Sequence, residues 1–268
     1  MPRAKKRFGQ HFLTNRRLLA RIADALGPSP GETVLEIGPG PGGLTEALVA
    51  RGARLAAIEI DRDLVPGLRS RFPAVRIAEG DALEVDWRTV AGVPAAAPLL
   101  VTGNIPYNIT SPLLEKALEP PRPVRIVFLV QKEVADRITA VPGTPQYGAL
   151  SIGIQAVAQA ERLFVVPAGA FQPPPKVDSA VIRLTPLGQP LVRDEEVPLF
   201  RRMVTGLFGF RRKQILRGLR ELTGWSPEVL SPLLASLGIP PQVRPEQLSA
   251  GQFVELLHRL VDAGWQPQ

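Results

Sequence analysis

Apolar and polar positions over residues 15–184 alternate between two periods. Short apolar runs are typical of buried strands, and longer stretches with apolar side chains at three- and four-residue spacing are typical of amphipathic helices. The predicted strands cover residues 33–37, 55–61, 75–78, 99–101, 124–130, 160–166 and 180–184. The predicted helices cover residues 15–26, 44–51, 63–71 and 132–141. Strands that alternate with helices imply an α/β fold with a mostly parallel, doubly wound sheet.

The pattern is helical only beyond residue 198. Residues 199–208 and 211–220 are predicted as helices, the second of them basic and amphipathic. Ser226 before Pro227 indicates a further helix start, and Ser249 indicates a last helix to about residue 263. Residues 186–198, with Pro, Gly and an acidic run, are predicted as a linker. We therefore expect two domains, at 1–189 and 190–268, the second small and all-helical.

The composition limits the classes of protein to consider. No apolar run approaches the roughly 20 residues that span a bilayer, and the basic start at residues 1–7 has no apolar segment after it. The chain has no Cys and two His, His11 and His258, so disulfides and thiol nucleophiles are excluded and no metal site is expected. A cytoplasmic protein without a membrane partner is the simplest interpretation.

The charge favours a polyanionic partner. The chain has 32 Lys and Arg against 25 Asp and Glu, a net charge of +7 and a pI of about 10.3. Basic residues are concentrated in a short arm at residues 3–7 and in the helical part of the chain. The basic residues of the helical part are Arg201, Arg202, Arg211, Arg212, Lys213, Arg217 and Arg220. These residues either form a phosphate-binding face or are a solvated helix face, and the basic arm favours the first.

A glycine-rich loop follows the first predicted strand. Gly38, Gly40 and Gly43 satisfy G-x-G-x-x-G between a strand and a helix, which suits close approach of the backbone to a ligand. Glu59 ends the next strand about 20 residues later, where an acid that binds ribose hydroxyls is expected. Asp81 follows a third strand and could accept a hydrogen bond from an adenine amine. As isolated features, Glu59 would be a solvated carboxylate and Asp81 part of a turn.

The tetrad Asn104-Ile105-Pro106-Tyr107 follows the apolar run at residues 99–101, at the edge of the sheet where ligands bind in open α/β folds. The Asn104 side-chain oxygen and a backbone carbonyl of Ile105 or Pro106 can accept hydrogen bonds from an exocyclic amine. The Tyr107 ring can stack on a base. A plain tight turn is the alternative, since Asn and Pro are common there for conformational reasons.

A proline-stiffened loop, Phe171–Ser179, lies between the two last predicted strands. Its Phe171 could stack on a base, and its Lys176 adds a positive charge. The alternative is a structural connector with a buried Phe.

The glycine loop with a strand-end acid fits both nicotinamide dinucleotides and S-adenosylmethionine. Three features favour the methyl donor. Glu36, inside the glycine motif, could hold the donor's amino-acid portion, Asp81 is suitably placed for adenine, and the Asn104–Tyr107 loop suits an amine acceptor. No hydride-accepting site is recognisable.

The motifs together make the resemblance to a family specific. They are Phe8–Leu13, Val34–Thr45, Glu59, Gly80-Asp81, Asn104–Tyr107, Gln131–Val134, Tyr147-Gly148, Phe171–Ser179 and Phe208–Lys213. In this combination and order the chain resembles the ribosomal RNA adenine N6,N6-dimethyltransferases, and within them the bacterial small-subunit (16S) branch. The resemblance covers essentially the whole chain. It departs at His11, where the family often has Asn.

The resemblance implies a Rossmann-like, S-adenosylmethionine-dependent methyltransferase domain at 1–189 and a helical RNA-contacting domain at 190–268. It implies two methyl transfers to each of two adjacent adenosines near the 3′ end of 16S rRNA, during assembly of the small subunit. We expect the protein to be a monomer. His11 and Leu13 would border the donor, Gly38 would lie against its amino-acid portion, Glu59 would hold the ribose and Asp81 the adenine.

The candidate residues fall into three groups. The candidate donor-binding residues are His11, Leu13, Glu36, Gly38, Gly40, Glu59, Ile60, Asp81, Ala82 and Asn104. The candidate catalytic residues are Asn104, Ile105, Pro106, Tyr107 and Phe171, with Tyr107 and Phe171 expected to sandwich the extruded adenine. The candidate RNA-binding residues are Lys176, Arg211, Arg212, Lys213 and Arg217.

Three rival functions share parts of this pattern. A methyltransferase of the antibiotic-resistance branch would modify large-subunit RNA with the same motifs. A non-catalytic RNA-binding assembly factor could use the same scaffold, although the intact tetrad and glycine loop argue against lost catalysis. A nicotinamide-dependent dehydrogenase would be recognised by nicotinamide binding.

Overall fold

The structure, a computed structural model, describes residues 4, 5 and 8–266. Of the expected basic arm, Arg3, Lys6 and Arg7 lie outside the described residues. The strands are β1 Phe12–Leu13, β2 Thr33–Ile37, β3 Arg54–Glu59, β4 Arg76–Glu79, β5 Leu100–Asn104, β6 Arg125–Gln131, β7 Ala158–Val166, β8 Phe171–Gln172 and β9 Ser179–Pro186. The α-helices are α1 Arg16–Leu26, α2 Gly43–Val49, α3 Val65–Arg71, α4 Trp87–Ala91, α5 Thr110–Ala117, α6 Lys132–Ile138, α7 Ala149–Gln155, α8 Val197–Gly209, α9 Ile215–Thr223, α10 Pro227–Ser236 and α11 Ala250–Asp262.

Seven strands form the central sheet in the order β4-β3-β2-β5-β6-β9-β7. The pairs among β4, β3, β2, β5 and β6 are parallel, and β9 joins β6 antiparallel. The chain runs outward from β2 to β3 and β4 on one side, and then from β5 to β6 on the other. The strand order therefore reverses between β2 and β5, and such a switch point is where open α/β sheets bind ligands. The predicted α/β fold with helices after it is confirmed.

At the switch point, the ends of β2 and β5 approach each other closely. Ile37 pairs with Gly103, so Gly38 and Asn104 follow side by side. A Cβ on Gly103 would lie 2.4 Å from the carbonyl oxygen of Ile37, which means that only glycine allows the two strands to approach this closely. The strands β2, β5 and β6 are buried along their apolar residues, as expected for the centre of a parallel sheet.

A second, two-stranded sheet was not predicted. In it β1 pairs antiparallel with β8, so that Leu13 lies opposite Phe171. Next to it the backbone N–H of Thr14 donates to the carbonyl of Ala170 at 3.1 Å. This sheet joins the N-terminal segment to the loop after β7.

The chain forms two compact units. The first combines the described part of Met1–Ala135 with Ala160–Pro186, and it contains the switch point. The second combines Asp136–Gln159 with the described part of Leu187–Gln268. The units thus differ from the expected division at 189/190, because residues 136–159 belong with the C-terminal helices. The hydroxyl of Tyr147 donates to the carbonyl of Leu248 at 2.9 Å inside this second unit.

Two local predictions in the second unit were wrong. The expected helix at 211–220 begins only at Ile215, because residues 210–213 form a turn after α8. The expected linker at 186–198 is not a free connector. The N–H groups of Leu187 and Leu191 donate to the carbonyls of Val157 and Ala156, Val192 is buried, and α8 begins at Val197.

Within the part of the chain that the structure describes, no helix is long and apolar enough to cross a membrane.

Candidate active site

Two clefts meet at the switch point. The first cleft, of about 500 Å³, is lined by Phe8, Gly9, Gln10, His11, Phe12, Gly38, Gly40, Glu59, Ile60, Asn104, Ile105, Pro106 and Tyr107. The second cleft, of about 800 Å³, is lined by Phe12, Leu13, Thr14, Arg16, Leu19, Glu36, Gly38, Pro39, Gly40, Pro41, Gly43, Leu44, Glu46, Arg71 and Asn104. Phe12, Gly38, Gly40 and Asn104 line both clefts, so the glycine loop and the tetrad border one continuous region.

The glycine loop forms a cradle that side chains would fill. Gly38 and Gly40 have φ angles of +64° and +57°, which L-residues with a Cβ rarely adopt. A Cβ on Gly40 would lie 3.1 Å from the ring of Phe12. Glycine therefore satisfies the backbone conformation at both positions, and at Gly40 it also avoids a close contact with Phe12.

Glu59 is the carboxylate that organises this loop. Its two oxygens accept from the backbone N–H of Gly40 at 2.9 Å and from that of Asp61 at 2.8 Å. The side chain is 3% exposed, and burial raises its pKa above the ordinary value. A carboxylate oxygen has two acceptor positions, so each oxygen can still accept from a ligand hydroxyl. Ile60, the next residue, is 42% exposed and offers an apolar surface in the first cleft.

Glu36 is a second buried carboxylate, and it lines the second cleft. It is 1% exposed and accepts from the hydroxyl of Thr45 at 2.7 Å. Burial raises its pKa to about 8, in spite of the hydrogen bond from Thr45. Leu13, which the resemblance placed at the donor, lines the same cleft.

The tetrad presents a defined hydrogen-bonding pattern. The side-chain nitrogen of Asn104 donates to the carbonyl of His11 at 2.7 Å. Because a carbonyl can only accept, the amide oxygen of Asn104 is left on the opposite side. The carbonyl of Pro106 already accepts from the N–H of Ile109 and from the hydroxyl of Thr110, both at 3.2 Å. Of the two candidate backbone acceptors, the Ile105 carbonyl is thus the better one.

The ring of His11 contacts two parts of the site. Its Nδ1 donates to the carbonyl of Pro173 at 2.8 Å. Its ring stacks on that of Tyr107, with centroids 5.7 Å apart and planes at 25°. The hydroxyl of Tyr107 shares a 2.8 Å hydrogen bond with that of Ser179. The resemblance placed His11 beside the donor. The sequence did not predict its stack on Tyr107 or the contact of Tyr107 with Ser179, since neither has a local signal.

Three expected site residues are not found in the clefts. Phe171 is 5% exposed and packs in the core beside β1, so the expected sandwich of Tyr107 and Phe171 is not present in this structure. Asp81 accepts from the N–H of Leu83 at 2.8 Å, and Ala82 is buried; neither lines the two clefts. The turn that was the alternative for Asp81 is therefore present.

The expected RNA-binding residues differ in their surroundings. Lys176, Arg212, Lys213 and Arg217 are exposed. Arg211 is instead bound inside the second unit, where its guanidinium forms an ion pair with Glu246 and donates to the carbonyl of Pro145 at 2.7 Å. Among the described residues, no group of three or more acidic or histidine side chains is arranged to hold a metal ion.

Comparison with solved structures places this fold in a class, the Rossmann-like S-adenosylmethionine-dependent methyltransferases. Among solved structures, the chain is similar to a dimethyladenosine transferase from Plasmodium falciparum, with a TM-score of 0.78 and 26% identity over 95% of this chain and 99% of that one. It is also similar to the 23S rRNA methyltransferase ErmE, with a TM-score of 0.71 and 29% identity over 93% and 99%.

Sequence comparison narrows the class to a family. A sequence model of the family described as ribosomal RNA adenine dimethylase matches residues 1–262. The chain is 44% identical to the ribosomal RNA small subunit methyltransferase A of Geobacter metallireducens over 98% of this chain and 97% of that protein. It is also 44% identical to that of Aromatoleum aromaticum, over 95% and 93%. The chain belongs to the ribosomal RNA adenine dimethylase family, and its activity is the S-adenosylmethionine-dependent dimethylation of adenosines in ribosomal RNA.

Proposed function

We propose that the protein dimethylates N6 of two adjacent adenosines near the 3′ end of 16S rRNA during assembly of the small ribosomal subunit. Relatives named for the small subunit match at 41–44% identity over nearly their whole length, which supports this target over the large subunit. The observation that carries the chemistry is the amide of Asn104, which is anchored through its nitrogen to His11.

The donor would lie across the glycine loop. S-adenosylmethionine supplies an electrophilic methyl group on a positively charged sulfur. Glu59, already oriented by two backbone N–H groups, would accept from the ribose hydroxyls, and Ile60 would pack on the adenine. Gly38 and Gly40 give the backbone cradle, with Leu13 beside it, and Glu36 would face the donor's ammonium group from the second cleft. The assignment of Asp81 and Ala82 to the adenine rests on the family resemblance.

Two acceptors would hold the target amine. The lone pair of adenine N6 is delocalised into the ring, so the amine is a poor nucleophile. The side-chain oxygen of Asn104 and the carbonyl of Ile105 would accept its two N–H groups and favour the pyramidal nitrogen whose lone pair points at the methyl group. The gain is positioning and electrostatic stabilisation of the charge that develops on nitrogen. As the bond from N6 to the methyl carbon forms, the bond from that carbon to sulfur would break and the neutral thioether would leave. The nitrogen, acidic once methylated, would lose one proton to solvent, so one N–H would remain to orient the second transfer.

Tyr107 would be the platform on which the extruded adenine stacks, worth about 1–3 kcal/mol. Since Phe171 is buried, its part in this site is to support the loop from the core, through the pairing with Leu13. His11 would stabilise the platform by its own stack on Tyr107.

The exposed cations would contact the RNA backbone. Arg212, Lys213 and Arg217 would bind phosphates from the second unit and Lys176 from the first, whereas Arg211 is already held by Glu246. One chain lines both clefts, so a monomer suffices. We place the protein in the cytoplasm because its substrate is the assembling subunit.

A labelling experiment tests the proposed target. The protein is incubated with labelled S-adenosylmethionine and undermethylated 30S particles, 50S particles or bare 16S RNA, and the modified bases are mapped. Dimethyladenosine at adjacent positions near the 3′ end of 16S rRNA is the expected result. Label in 50S RNA would contradict the small-subunit target, and binding without label would indicate a non-catalytic assembly factor.

A further inference from the structure

Ser179 is a buried polar residue that the chemistry described above does not use. It is the first residue of β9, pairs with Gln131 at the end of β6, and is fully buried. The backbone next to it is also held, since the N–H of Lys132 donates to the carbonyl of Asp178 at 3.0 Å. Its hydroxyl therefore has a fixed position in the sheet.

This hydroxyl is bonded to the hydroxyl of Tyr107 at 2.8 Å. Tyr107 lies between β5 and α5, outside the sheet, and its ring is held at two places. One is the stack on His11, and the other is the hydrogen bond to Ser179. The bond to Ser179 is the one that ties the ring to a strand, and it fixes the direction of the ring's long axis.

We propose that Ser179 is a positioning residue for methyl transfer: it holds the hydroxyl of Tyr107 and thereby fixes the plane of the ring on which the target adenine stacks. This inference rests on the proposed role of Tyr107 as the stacking platform. Because the Tyr107 ring is already ordered, no conformational entropy is lost in ordering it when RNA binds. The ordered ring also directs the amine of the stacked adenine at the methyl group.

The hydrogen bond between Tyr107 and Ser179 affects the orientation of the ring more than the area of contact between the ring and the adenine. Without it the adenine still stacks on the same ring, so KM for RNA stays nearly unchanged. The direction of attack is then less well defined, and kcat falls. The second transfer is affected more than the first, because a single N–H remains to orient the monomethylated amine.

The test combines Ser179→Ala, Tyr107→Phe and the double variant, assayed with undermethylated 30S particles for kcat, KM, donor dissociation constant and the ratio of mono- to dimethyladenosine. We expect each single variant to lose about five- to tenfold in kcat, a size typical of one hydrogen bond. KM and donor affinity should stay within twofold, and monomethyladenosine should accumulate. The double variant should be no slower than either single variant, because all three lack the same bond.

Ser151→Ala is the matched control. Ser151 is likewise fully buried, its hydroxyl donates to the carbonyl of Arg137, and it lies in the second unit. Its replacement should lower the unfolding temperature and leave kcat and the product ratio as in the wild type.

Three results would overturn the inference. They are a wild-type kcat in Ser179→Ala, losses in the single variants that multiply in the double variant, and a donor affinity that falls as much as kcat. Tyr107→Ala separates this inference from the proposed function. Wild-type kinetics in Tyr107→Ala would refute the platform itself, whereas a large loss there beside a normal Ser179→Ala would refute only the role of Ser179.

Discussion

The side-chain amide of Asn104 has one donating and one accepting end, and the carbonyl of His11 determines which end remains without this contact. The contact, at 2.7 Å, occupies the donating end. The sequence pointed to Asn104, because the tetrad is a local motif, and the role of Asn104 in holding the amine stays a prediction. It did not predict what holds the amide, since His11 is 93 residues away in the chain.

Glu36 differs from Asn104, because burial has more effect on the ionisation of its carboxyl than its hydrogen bond does. Burial raises its pKa to about 8, whereas a glutamate in an unfolded chain has a pKa near 4.3. Between these values the folded protein binds more protons at this position than the unfolded chain does. The free energy of unfolding therefore falls as pH rises through this window.

Glu36→Gln should remove that dependence. Glutamine can still accept from Thr45 but carries no charge, so we expect the variant to exceed the wild type in stability at pH 9 by up to a few kcal/mol, and to match it more closely near pH 5. Urea unfolding at the two pH values measures the difference. A stability difference that is the same at pH 5 and pH 9 would contradict the raised pKa of Glu36.

At the scale of elements, the loop between β2 and α2 combines backbone strain with close packing. Gly40 has a φ of +57°, its N–H binds Glu59, and a Cβ there would press on the ring of Phe12. Gly31 has a φ of +84° but nothing within 4 Å of a Cβ. The two glycines thus share the backbone requirement and differ in packing and in position.

Gly40→Ala and Gly31→Ala form a matched pair. Both should lose stability, since a left-handed conformation costs an alanine about 1–2 kcal/mol. Only Gly40→Ala should also weaken donor binding, by about tenfold or more, because the added carbon enters the cradle. Calorimetric titration with S-adenosylmethionine gives the affinities. Equal donor affinity in the two variants would show that the loop is not the donor site.

Elements with local signals were predicted well, and elements made by distant contacts were not. Ser226 and Ser249 precede the helices that they were predicted to start, and the helix predicted over residues 15–26 begins at Arg16, with Asn15 as its N-cap. The two-residue strands β1 and β8 have no signal of their own, because each exists only through the other. Phe171 was expected beside Tyr107, with a structural connector carrying a buried Phe as the alternative, and the structure shows the buried Phe. An aromatic residue in a loop is compatible with both, because the core that buries it is formed by distant residues.

At the scale of the whole molecule, segments that are far apart in the sequence pack into the same compact unit. Residues 136–159 join the C-terminal helices through contacts such as the N–H of Gly143 with the carbonyl of Glu246, at 2.7 Å. A contact across about 100 residues has no pattern in the sequence, so the expected boundary at 189/190 followed composition instead. The net charge of +7 was readable from the sequence, but which cations are available to RNA was not.

Reversal of exposed charge should separate RNA binding from folding. The triple variant Arg212→Glu, Lys213→Glu and Arg217→Glu should weaken binding to undermethylated 30S particles by about tenfold or more and lower its salt dependence, with unchanged donor affinity. Arg211→Ala should instead lower the unfolding temperature, since it removes the contacts with Glu246 and Pro145. Filter binding at 50 and 200 mM KCl, with thermal unfolding beside it, measures both. An equal loss of donor and RNA affinity in the triple variant would indicate a folding defect.

The most direct test of the catalytic account is the single-turnover rate of methyl transfer by Asn104→Ala on undermethylated 30S particles, with the donor dissociation constant measured on the same preparation. We predict a loss of about 100-fold or more in rate, as for removal of a preorganised hydrogen-bonding group, together with weaker but measurable donor binding. A rate within twofold of the wild type would contradict the role of Asn104 in orienting the adenine amine.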